Sequence, residues 1–139
     1  MEHILSVIGS YALAALFGGM LFFPAVVAPT VFKALEPEPA GVFLRKLFPS
    51  YYIFIIASSA IAATAFFNNR TISIGLLLVA GTTVLVRQLL VPRINAWRDQ
   101  ELSGDASAAA KFKHGHRISV LINIAQLFFV SYAAFVMFV

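Results

Sequence analysis

Arg87, His116, Ser119, Asn123 and Gln126 are the residues of this chain best suited to holding a ligand. The last four are spaced three, four and three apart, a pattern that predicts one polar face on a helix. That face runs into a long apolar stretch, Ile118 to Val139, where a polar stripe should meet protein or a water-filled cavity rather than lipid. Interhelical hydrogen bonding is the competing reading, since Ser, Asn and Gln commonly tie membrane helices together. Arg87 is the one basic residue inside an apolar stretch, about 6 Å from its end at helical rise. It can snorkel to the phosphate zone beside Gln88, or face inward and hold an anionic group. Asn95, Arg98 and Asp99 follow two to three turns later and complete the candidate ligand-binding set, with Asp99 expected to pair with Arg98 or Arg117.

Other chemistries are disfavoured. All six acids, Glu2, Glu36, Glu38, Asp99, Glu101 and Asp105, fall outside the apolar stretches, so no carboxylate is available at depth for proton pumping, paired-acid hydrolysis or two-metal catalysis. No catalytic residue is assigned. The absence of cysteine removes thiolate nucleophiles, disulfides, Cys-ligated zinc and iron–sulfur clusters. His114 and His116 lie two apart, about 200° around a helix, which opposes joint ligation of a metal. No metal site or cofactor is predicted. Haem held by His116 as a single axial ligand is the alternative, with Arg87 on a propionate.

The elements that must position these residues follow from hydropathy. The chain is 60% hydrophobic and 12% charged, with mean hydropathy +0.89, against about a quarter charged in soluble domains. Four stretches approach the ~20 residues needed to cross a bilayer, giving spans at about 4–35, 40–67, 71–91 and 106–139. The predicted class is therefore all-α, a single four-helix membrane domain. Asn68, Asn69 and Arg70 force a tight hairpin between spans two and three, with Thr71 expected as N-cap and a bend expected at Pro49. Ser103-Gly104-Asp105 divides the third connection, with Asp105 as cap of the helix that follows.

The first helix carries small-xxx-small pairs, Ala14 with Gly18 and Ala15 with Gly19, which permit close helix approach. Pro24 and Pro29 follow and predict a kink. Lys and Arg cluster around connections one and three, at about 33–50 and 93–117, whereas only Arg70 lies in connection two. The positive-inside rule then predicts connections one and three in the cytoplasm and both termini outside. The expected setting is a bacterial-type inner membrane, and Met-Glu-His lacks a basic leader region, predicting a retained first helix. The net charge of +4 points to anionic lipid headgroups as partners rather than nucleic acid, because the cations border apolar stretches.

The blocks "GGMLFFPAVVAPTVFKAL", "LRKLFPSYY", "RQLLVPRINAWRD" and "FKHGHRISVLIN" resemble, in order and spacing, the small four-span family related to transmembrane protein 205. The resemblance implies a four-helix membrane domain with family-like positions at Gly18, Gly19, Pro29, Phe48, Pro49, Arg87, Pro92, Asn95, Arg98, Asp99, His116, Ser119 and Asn123. The eukaryotic relative is linked with altered handling of toxic platinum compounds. This chain lacks that form's longer glycine-rich third loop, and without cysteine no thiol-based metal handling carries over. The leading functional expectation is a non-enzymatic binding or transport component for a small polar, anionic or amphipathic ligand. A haem-associated protein or redox enzyme, and a structural or assembly subunit, are the alternatives. A bundle this narrow would form a path more easily between subunits, so homo-oligomerisation accompanies the first expectation.

Overall fold

The structure, a computed structural model, describes residues 2–139 and is all-helical, with no strand among the described residues. Four helices are long and apolar enough to cross a membrane: α1 Glu2–Ala34, α2 Pro37–Ala65, α3 Arg70–Leu102 and α4 Ala106–Phe138. They make the chain a multi-pass integral membrane protein. In chain order the helices form a ring, α1 against α2 and α4, α2 against α3, and α3 closing on α4. Both termini and the α2–α3 turn share one end of the bundle. The opposite end carries connections one and three and most of the cations, and is called the basic end below.

Each boundary has a local cause. Glu36 is extended and Pro37 opens α2, where a missing N–H costs nothing and φ is already helical. The N-cap of α3 is Asn69 rather than the expected Thr71: its side chain accepts the Ile72 N–H at 3.2 Å. Asn is the stronger cap, and the hairpin leaves it free to turn out of the helical conformation. At the other turn Gly104 has φ +103°, which lets Gly104 N–H reach Glu101 O and Asp105 N–H reach Gln100 O. This paired closure of a helix end suits glycine. Asp105 then caps α4, accepting from the Ser107 N–H at 2.9 Å.

Pro24, Pro29, Pro49 and Pro92 sit where a helix has to absorb them. Both α1 and α3 contain one π-helical segment, Phe23–Val27 and Val86–Leu90. In each, the residue immediately before a proline donates five residues back: Ala28 N–H to Phe23 O before Pro29, and Val91 N–H to Val86 O before Pro92. A proline ring clashes with the carbonyl four residues earlier, and the wider turn moves that carbonyl aside. The stretch of α1 where Pro24 and Pro29 predict a kink holds a π-turn. Pro49, by contrast, lies within an uninterrupted α2, so the bend expected there does not end or divide the helix.

The core is built from Leu13, Leu16 and Met20 of α1, Ile55 of α2, Leu76 of α3 and Val130 of α4, none with measurable exposure. Glycines set the closest approaches. A Cβ on Gly9 would lie 2.7 Å from Ala65 Cβ, and one on Gly19 would strike the Phe54 ring. Gly75 faces Phe129 and Gly115 faces Trp97 in the same way. Gly19 therefore does bring α1 to α2, but Ala14 and Gly18 are exposed, with open space beside Gly18. Their expected packing role does not operate within the bundle.

Candidate polar layer

Three contacts fix the depth of the polar residues. Ser73 Oγ donates to Ala63 O at 2.9 Å, aligning α3 with α2. Phe23 of α1 stacks on Tyr51 of α2 with ring centroids 4.5 Å apart. Gln126 of α4 reaches α3, its Nε2 donating to Thr82 Oγ1 at 2.7 Å and Thr83 Oγ1 at 3.1 Å, with Val79 O at 3.3 Å. Counting along each helix from these contacts puts Phe23, Tyr51, Arg87 and Asn123 within about one helical turn of one depth. Both π-turns lie at that level.

The layer holds two unsatisfied donors. The Tyr51 hydroxyl and Arg87 Nε are the buried side-chain polar atoms without a hydrogen-bond partner among the described residues. The Asn123 side chain approaches the Tyr51 hydroxyl without closing a hydrogen bond of ordinary geometry. Arg87 is half-buried, and neither ion pair among the described residues includes it. Phe23, Phe48, Tyr51 and Tyr52 form a continuous aromatic group at this level, with Phe48 and Tyr52 stacked at 5.7 Å.

Of the residues expected from sequence, the structure brings Arg87 and Asn123 into this layer and Gln126 one turn deeper. Ser119 is half-buried and its hydroxyl donates to His116 O at 2.8 Å, satisfied within its own helix. His116 is exposed and stacks on Phe112, centroids 6.1 Å apart, instead of entering the stripe. The reason is helical phase: ten residues at 100° each leave His116 about 80° away from Gln126 around α4. Gly115 takes the inward position and lies against Trp97. Gln88 is exposed on the side of α3 away from the bundle.

Asn95, Arg98 and Asp99 lie nearer the basic end and form a separate cluster. Asp99 pairs with Arg45 of α2 at 2.9 Å, not with Arg98 or Arg117 as expected. Arg45 also donates to Asn95 O at 3.4 Å. Arg98 pairs with Glu101 one turn on, at 2.7 Å, and its guanidinium lies 5.3 Å from the Phe112 centroid. On a helix, residues three apart are neighbours whereas adjacent ones diverge, so Arg98 meets Glu101 and Asp99 faces α2.

Sequence reasoning missed Tyr51 and Arg45. An aromatic at the head of a span reads as an interfacial anchor, and a lone Arg in a basic connection reads as a topology signal. The "FFP" and "FPSYY" blocks were the available signal, since each sets aromatics beside a proline at matching depth.

No curated protein and no solved structure matches the chain. A family model does match residues 11–103, which take in α1 from Tyr11, all of α2 and α3, and therefore Tyr51, Arg87 and the Arg45–Asp99 pair. On that match the chain belongs to the family described as Domain of unknown function (DUF4149).

Proposed function

We propose that this protein is a non-enzymatic binding or transport component of the bacterial-type inner membrane, for a small polar, anionic or amphipathic ligand. The observation that carries the reading is Arg87: its Nε is buried without an acceptor, and no carboxylate lies at its depth to neutralise it. An intramembrane charge is costly to retain and, left unpaired by protein, serves a ligand. The Arg45–Asp99 and Arg98–Glu101 pairs stand between this layer and the basic end, which the positive-inside rule puts in the cytoplasm. Kinship with the transmembrane protein 205 family belongs to the same proposal and rests on the four sequence blocks.

Complementation tests it. A strain lacking the chain is supplied with wild type, Arg87→Ala or His116→Ala at matched membrane levels. Loss of rescue by Arg87→Ala is expected, with a smaller effect of His116→Ala because that side chain sits at the surface. Full rescue by both variants would overturn the reading.

The exposed Ala14 and Gly18 favour a second reading, in which α1 packs against another copy or a partner helix. Gly18→Leu would then reduce the oligomeric size in mild detergent, and an unchanged size would count against it.

A further inference from the structure

We propose that Tyr51 and Arg87 together form an oxyanion receptor inside the bundle, with Tyr51 of α2 as the second donor. This rests on the ligand-binding reading above and assigns its chemistry. Two unsatisfied donors occur at one depth on neighbouring helices, a hydroxyl and a guanidinium N–H, and both are buried. What they lack is an acceptor. A carboxylate or phosphate oxygen supplies acceptors only and carries the charge that Arg87 leaves uncompensated. A cation is repelled there, because all six acids lie outside this level. A neutral ligand could satisfy the donors but not the charge.

The surroundings hold the receptor in shape. Stacking of Tyr51 on Phe23, 25° from parallel, fixes the ring and therefore the direction of its hydroxyl. Phe48 and Tyr52 close the aromatic group around it. Asn123 stands beside the hydroxyl on α4 and can donate to the same oxyanion through its amide. The Val86–Leu90 π-turn contains Arg87, and such turns re-aim the side chains they carry.

The same oxyanion chemistry occurs in a free ion and in a lipid headgroup, and the experiment separates them. The full chain, labelled with nitrogen-15 on arginine, is held in a non-ionic maltoside detergent. The Arg87 Nε–Hε resonance is assigned by its disappearance in Arg87→Lys. One arm adds inorganic phosphate, a second adds phosphatidic acid, and sodium chloride at matched ionic strength is the control. Saturable movement of the Arg87 resonance is expected in one of the first two arms and not in the control. Movement with inorganic phosphate assigns a free ion; movement with phosphatidic acid alone assigns a headgroup. Tyr51→Phe, which preserves the ring, should weaken the response about tenfold or more, the effect of removing a hydrogen bond to a charged group. If Tyr51→Phe binds as tightly as wild type, the role of Tyr51 is overturned while the Arg87 reading stands. If the resonance moves in neither arm, both fall, and the donors are met by water alone.

Discussion

Gln126 of α4 donates to Thr82 of α3 at 2.7 Å, joining the two helices in the half of the bundle away from the basic end, where Gly75 also lies against Phe129. The bond is available because the Thr82 and Thr83 hydroxyls spend their own protons inside α3, on Leu78 O and Val79 O, each at 2.7 Å. Their lone pairs are left to accept from Gln126.

Gln126→Leu should therefore destabilise the bundle by about 1–2 kcal/mol, the upper range for membrane hydrogen bonds. A double-mutant cycle with Thr82→Val, read by reversible unfolding in mixed micelles, should give a coupling of about 0.5–1.5 kcal/mol. Additive effects would mean that the contact carries no net energy.

Glycine substitutions should sort by what the new Cβ meets. Gly9→Ala drives it into Ala65 Cβ, which is fixed to its backbone, so a loss of about 1–3 kcal/mol is expected. Gly75→Ala strikes only the far end of the Phe129 ring, which can swing, and should cost less. Gly18→Ala meets nothing and should gain up to about 1 kcal/mol from helix propensity. Thermal unfolding of the three variants in one detergent checks the order.

The Arg45–Asp99 pair is 40% and 60% exposed on its two side chains, so its removal should cost under about 1 kcal/mol. Its local effect is larger. Asp99→Arg should raise hydrogen exchange across residues 95–102, and the exchanged pair Arg45→Asp with Asp99→Arg should restore protection.

Asp105 lies outside the spans, and its carboxyl is held below the ordinary range, first by the Ser107 hydroxyl and then by the Ser107 N–H. A group whose pKa falls on folding stabilises the fold above its unfolded value, about 3.9, and loses that contribution as pH drops through the folded value. Protection of the Ser107 amide should therefore fade only below about pH 4. In Asp105→Asn it should not change with pH in that range.

Topology is directly testable because the native chain has no cysteine. In intact cells, a membrane-impermeant maleimide should label Asn68→Cys. It should label Ser103→Cys only after permeabilisation. The reverse pattern would invert the orientation.

The spans were legible because a bilayer demands long apolar stretches whatever the packing. Which face of each helix turns inward was not. Lipid tails are as apolar as the core, so Ile53 and Ile55 of α2 look alike in sequence although one is exposed and the other fully buried. Gly9, Gly75 and Gly115 went unremarked for that reason, while Ala14 and Gly18 drew notice on a face that points outward. Polar residues gave more, since Arg87, Asn123 and Gln126 must avoid lipid. His116 misled because three, four and three is near the helical repeat without matching it, and the error accumulates over ten residues.

Helices α3 and α4, each 33 residues, are about 50 Å long against about 30 Å of hydrocarbon. Beyond the π-turn of α3 they continue side by side, clasped by Trp97 against Gly115, tied to α2 by the Arg45–Asp99 pair and closed at the tip by the Gly104 turn. The roughly 20 Å by which each of these helices exceeds the hydrocarbon leaves room for connection three and its cations to stand clear of the apolar slab.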